Sequence, residues 1–153
     1  MSTSGKVLSM RNWKKRTWVL FFIIDAFVVI QFIPIDRNNP AVTGEIEAPE
    51  EVMAILRRSC YDCHSNETVW PWYSYVAPAS WLAAKDVREG RDELNFSEWS
   101  SYSTKQKNHK RKECGEEVEE GEMPLWFYTP LHPEAELSQE DIGIISSWSK
   151  GGQ

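Results

Sequence analysis

"CYDCHSNETVWPWY", residues 60–73, opens with two cysteines three apart, and a histidine follows the second at once. C-x-x-C-H admits three chemistries. As structural zinc it supplies three donors where such sites take four, and Cys114, His109 and His132 are poorly spaced to supply the last. As a thiol–disulfide motif it should follow a strand in a βαβ unit, and no such pattern surrounds it. As a haem-attachment motif every position has a role. Cys60 and Cys63, one helical turn apart, reach the two vinyl groups of a porphyrin, and His64 offers its imidazole to the iron. Of the three cysteines, haem then uses two and leaves Cys114, expected as a small buried hydrophobe. The expectation is one haem c, covalent through Cys60 and Cys63.

A haem so held needs a sixth ligand, and the candidates are Met123, His132 and His109, with Met53 remote. Met123 sits in "GEMPLW", on a loop after a charged helix, where an unbranched thioether can approach iron and Pro124 stiffens the backbone that presents it. A Met-Pro loop followed by a final amphipathic helix looks like the second half of a class I cytochrome c. His132 and an open position are the rivals; an open position would permit gas binding or peroxidase-like chemistry. Trp70, Trp72 and Tyr73, with their neighbours to Tyr75 and Trp81, are expected to wall the crevice, their polar atoms suiting the propionates.

Outward from the motif, periodicity predicts helices and no strands. One starts near Pro49 or Glu50, with Val52, Ile55 and Leu56 as its stripe, and runs into Cys60. A second, in "APASWLAAKDVREGRDE", is expected to stop near Gly90. The segment 103–122 reads as a charged helix, basic before acidic, with Cys114 and Val118 as its inward pair. That order opposes the helix dipole, so tertiary contacts must support it. The last helix begins at the capping box Ser138/Asp141, carries Ile142, Ile145 and Trp148 inward, and stops at Gly151.

The N-terminus reads differently. "TWVLFFIIDAFVVIQFIPI", residues 17–35, is nearly unbroken apolar sequence, about 28 Å long as a helix against a hydrocarbon core of ~30 Å. Asp25 costs about 3 kcal/mol near the centre, but thirteen Val, Leu, Ile and Phe return about −4 to −8 kcal/mol. The expected domains are a basic cytoplasmic segment 1–16, a transmembrane anchor 17–35, a linker 36–49 and a haem c domain 50–153. The alternative is a cleaved signal peptide, with "AVTG" at 41–44 a weak cleavage site. Residues 1–35 carry five basic side chains and one acid, which orients the body across a cytoplasmic membrane, on the periplasmic side. There the oxidising conditions suit the thioether chemistry. The remainder has twelve basic and twenty-two acidic groups, a net of −10, which argues against nucleic-acid partners. The fold expected is all-α: a class I cytochrome c-like helical haem domain preceded by one N-terminal transmembrane helix.

Several blocks are shared with a known family: "QFIP", "CYDCHSNET" with "WPWYSYVAP", "NFSEW", "GEMP" and "Y-x-x-L-H-P-E-A-x-L". On these the chain resembles the bacterial haem-binding domain family of small membrane-anchored C-x-x-C-H proteins, over roughly residues 18–150. The resemblance implies covalent haem through Cys60, Cys63 and His64, outside the cytoplasmic membrane, and supplies no reaction. The expected function is a membrane-anchored monohaem cytochrome that passes single electrons to redox partner proteins, with His64 and Met123 as iron ligands. The rivals are a haem enzyme or sensor with an open sixth site, and a structural subunit of a respiratory complex, for which Asp25 is the only hint.

Overall fold

The computed structural model describes residues 4–151, with side chains described at Trp13 and from Lys15 onward. Among the described residues six α-helices follow one another: α1 (Ser4–Ile30), α2 (Glu50–Ser59), α3 (Tyr61–His64), α4 (Ala79–Glu93), α5 (Thr104–Glu120) and α6 (Gln139–Ser149). Extended segments and short 3-10 turns join them. Among the described residues the one β-type pairing is an isolated parallel bridge between Gly44 and Glu98, so the chain is all-helical, as its periodicity predicts. It divides into two compact units, one of residues 1–36 with 71–83, the other of residues 37–70 with 84–153.

The first unit corrects the sequence reading. The expected membrane anchor over 17–35 is not met: among the described residues no helix is long and apolar enough to cross a membrane. α1 ends at Ile30, and residues 31–33 turn out of the helix. Only 17–30 of the apolar stretch is therefore helical, about 21 Å at ~1.5 Å per residue, well short of a ~30 Å hydrocarbon core. Extending the window backwards brings in Lys15 and Arg16, and Asp25 interrupts it. A single-pass protein of the cytoplasmic membrane with a periplasmic haem domain, which rested on that span, falls with it. The side chains of Lys6, Arg11 and Lys14, used for its orientation, lie outside the described ones. Where α1 ends, Gln31 clasps the backbone at Ala77: its Oε1 accepts the Ala77 N–H at 2.9 Å, and its Nε2 donates to the carbonyls of Ala77 and Phe27.

The second unit holds the core. α2 buries Val52, Ile55 and Leu56, α6 buries Ile145 and Trp148, and Ile46, Tyr61, Phe96 and Val118 complete the cluster. α5 and α6 pack together so closely that a Cβ at Gly115 would stand 2.4 Å from the Ser149 Cβ. Both helices are capped by their own sequence. Ser103 and Gln106 form a capping box on α5, and Ser138 and Asp141 form the predicted one on α6. α5 stops at Gly121, whose φ of 76° is left-handed, while Glu122 N–H reaches back to the Glu117 carbonyl at 3.0 Å. These caps and the packing offset the unfavourable order of charge along α5.

α4 also departs from expectation, because it runs through Gly90 to Glu93. Glycine is needed there for proximity, not for a stop: a Cβ would lie 2.7 Å from the Cys63 carbonyl oxygen and 3.1 Å from its Cβ. Residues 43–46 run extended beside 96–98. The N–H groups of Thr43 and Gly44 donate to Ser97 and that of Ile46 to Phe96, which seats Ile46 in the core.

Candidate functional site

Residues 60–64 form a single helical turn, in which the N–H groups of Cys63 and His64 donate to the Cys60 carbonyl at 3.2 and 2.9 Å. The residues that follow fasten it. Ser65 Oγ donates to the Tyr61 carbonyl and Thr68 Oγ1 to the Asp62 carbonyl, both at 2.7 Å, while the Asp62 carboxylate accepts the Val69 N–H. Asn66 is buried, donates to the Ala41 carbonyl and accepts from Asn95 Nδ2 at 2.8 Å. Arg91 of α4 donates to the Ser65 carbonyl and to Thr68 Oγ1. None of these roles was assigned from sequence. The signal was the run of short polar side chains after the motif, which readily bond neighbouring backbone.

His64 donates from Nδ1 to two carbonyl oxygens, Gly90 at 2.9 Å and Leu94 at 3.0 Å. Two acceptors require a proton on Nδ1, so the tautomer follows from its partners and Nε2 is left with a lone pair. Burial pushes the imidazole below its ordinary value, outweighing the two carbonyls and Glu93, so the ring is neutral at physiological pH. Burial likewise raises the thiols, Cys60 strongly, Cys63 to about 12 and Cys114 to about 11, and keeps them protonated.

Beside the turn lies a cleft of about 300 Å³, built wholly from the second unit. The motif supplies Cys60 and His64, the chain after α4 supplies Leu94 and Phe96, and the loop after α5 supplies Met123 and Pro124. α5 adds Cys114 and Val118, with Lys110, Glu113 and Glu117 as charged lining. Lys110 is occupied at the edge, its Nζ donating to the Glu93 carbonyl and lying 5.1 Å from the centre of the Tyr102 ring. Ser59 also lines the cleft. It is 8% exposed, and its enclosed Oγ has no hydrogen-bond partner among the described residues.

The other predicted residues lie elsewhere. Cys63 packs against Gly90. Trp70 is half-buried in the second unit, off the cleft lining, and its enclosed Nε1 has no partner among the described residues. Trp72, 76% exposed, and Tyr73 belong to the first unit. The His132 ring stacks on Tyr128 at 4.1 Å, and its Nδ1 is 3.1 Å from Glu134 Oε1. His109 pairs with Glu113 on an exposed face of α5, and Met53 packs on the core. Among the described residues no three His, Cys, Asp or Glu side chains gather as a metal site, which leaves the zinc reading without a ligand set.

The donors in the cleft suit haem: a neutral imidazole with Nε2 unprotonated, a thioether, largely apolar walls, and one enclosed hydroxyl waiting for an acceptor. A helical body holding C-x-x-C-H in this way defines a haem-binding module. The chain belongs to the haem-binding domain family, whose model matches residues 25–151. No curated protein and no solved structure matches it.

Proposed function

We propose that the chain carries one haem c in this cleft and passes single electrons to and from protein partners. The observation that supports this best is the fixed Nδ1–H of His64, which reserves Nε2 for iron in a cleft that also contains Cys60 and Met123. In this reading Cys60 and Cys63 would hold the haem covalently, each thiol adding across a vinyl group so that a C–S bond forms, the proton goes to the adjoining carbon and no electron is gained or lost. His64 and Met123 would ligate its iron. Haem, when bound, supplies a one-electron couple, and a His–Met pair sets it higher than a His–His pair.

The chain's own residues do the rest. The carbonyls of Gly90 and Leu94 orient His64 and raise its basicity as a ligand. Leu94, Phe96, Val118 and Leu137 give the cleft apolar walls, which would exclude water around a bound group. With His64 and Met123 both holding the iron, no position would be left for a substrate, which would favour electron transfer over catalysis.

The test is the optical spectrum of the oxidised and reduced protein, with and without Met123→Ala. A weak far-red band of iron–methionine ligation, present in the wild type and lost in the variant, is expected. Haem should also stay with the polypeptide on denaturation, and dissociate in a Cys60→Ser, Cys63→Ser double variant. Absence of the far-red band, with ready carbon monoxide binding to the reduced protein, would replace this reading by a gas-binding or peroxidase-like one.

A further inference from the structure

The order of charge along α5, basic before acidic, runs against the helix dipole, yet it sets one cation on the wall of the haem cleft. Lys110, Glu113, Cys114, Glu117 and Val118 all line that cleft, at the i, i+3, i+4, i+7, i+8 spacing of a single helical face. Lys110 begins this stripe, and Glu117 stands two turns on, ~10 Å along the axis. The whole lining holds three acids, Glu93, Glu113 and Glu117, against a single Lys or Arg, which is Lys110.

Lys110 is half-buried and, among the described residues, has no carboxylate within ion-pair distance. Its head is steadied from two sides: Nζ donates to the Glu93 carbonyl and stands 5.1 Å from the centre of the Tyr102 ring. An ammonium carries three protons, so donors remain for a further acceptor in the cleft. Burial is the main reason that His64 sits below its ordinary value, and the Lys110 charge adds to it, so this cation is within electrostatic reach of the imidazole. Haem presents two carboxylates on one edge of an apolar macrocycle. Glu113 and Glu117 repel those carboxylates, whereas Val118, Met123, Pro124 and Leu137 suit the apolar edge.

We propose that Lys110 is the positioning residue for a haem propionate, and that it turns the carboxylate edge of haem toward the basic half of α5 and away from Glu117. The proposal rests on the haem c reading but not on which side chain is the second axial ligand. It also gives the reversed charge order of α5 a use, since a cation at this end of the stripe selects one orientation of the cofactor.

The test uses the full-length holoprotein, its haem labelled with carbon-13 in the propionate carboxyls and titrated by NMR in the ferrous state. The titratable groups around the carboxylate on Lys110 are Glu93, His64, Tyr102, Glu113 and Glu117, and all stay the same in the variants compared. One propionate should titrate below the other. Lys110→Gln should raise it by about one pH unit, a tenfold gain in proton affinity, and leave the other in place. Lys110→Arg should restore the wild-type value, and Lys105→Gln, which removes an exposed cation of α5 off the cleft, should not move it. Should Lys110→Gln fail to fold, Lys110→Met, which keeps the apolar stem, carries the comparison. Propionates unmoved by loss of the Lys110 charge, an equal shift in Lys105→Gln, or no restoration by Lys110→Arg would overturn the proposal. The propionate shift in a protein without the far-red methionine band would sink the His–Met assignment alone. Covalent haem with that band but no propionate shift would sink the Lys110 assignment alone, and a chain that takes up no haem would overturn both.

Discussion

Gly90→Ala measures how closely α4 approaches the haem motif. In an ordinary helix interior, glycine to alanine stabilises by about 1 kcal/mol. At Gly90 the new methyl would meet the Cys63 carbonyl oxygen at 2.7 Å and its carbon and Cβ at 3.1 Å. Two of these three are backbone atoms of the motif turn and cannot swing aside. Forcing an extra carbon into such a site costs about 1–3 kcal/mol, which cancels the helical gain and leaves a net loss of up to about 2 kcal/mol. Gly143 of α6 is the control, because nothing lies within 4 Å of its added Cβ. Gly143→Ala should therefore gain about 1 kcal/mol, and the difference between the two variants isolates the steric cost. Urea unfolding of the haem-free protein, followed by far-UV circular dichroism, reads both. Each kcal/mol is worth about 2–4 °C in a thermal melt at this size. A displaced α4 also draws the Gly90 and Leu94 carbonyls from His64, so the haem spectrum of Gly90→Ala should shift. Stabilisation by Gly90→Ala equal to that by Gly143→Ala would refute the close approach of α4 to the motif turn.

Three further outcomes are expected. Ser138→Ala should cost about 1 kcal/mol through loss of the α6 cap. Burial pushes the Asp141 carboxyl up, but Ser138 and Arg58 hold it below its ordinary value, so an NMR titration of the variant should show it rising. In the haem-free protein His64 sits below its ordinary imidazole value, so the unfolded chain binds its proton more readily. That contribution is complete above about pH 6.5 and is lost as pH falls. The urea midpoint should accordingly drop more steeply between neutral pH and about pH 5 in the wild type than in His64→Leu, and parallel curves would refute it. Ser59→Ala removes an enclosed hydroxyl with no partner, and should raise the stability of the haem-free protein by about 1 kcal/mol in the same denaturation assay.

Some of this was legible in the sequence because the physics is local. The stripes of α2 and α6, the Ser138 cap and the C-x-x-C-H turn all depend on neighbours within a few residues. What failed to show depends on distance. The acceptors for His64 Nδ1 lie 26 and 30 residues away, and no spacing rule predicts them. Gly90 was read as a stop because glycine is a poor helix former, whereas its role is to let a distant backbone come near. The anchor over 17–35 was misread because hydropathy adds up residues without knowing where the helix turns out at Gln31. Met123, singled out for its Met-Pro loop, does line the cleft, whereas Ser59 and Phe96, which line it too, carry no motif.

The loop that bears Met123 is fixed at two points. At its start the Met123 N–H reaches the Glu117 carbonyl at 3.2 Å, and at its end the Tyr128 hydroxyl donates to Asp62 Oδ2 at 2.8 Å. Asp62 is one of the two unnamed positions of C-x-x-C-H, and its other oxygen holds Val69. That carboxylate therefore acts as a latch between the motif and the loop. A latch of this kind couples the opening of one segment to that of the other, so their amide hydrogens are expected to exchange with solvent as a group rather than separately.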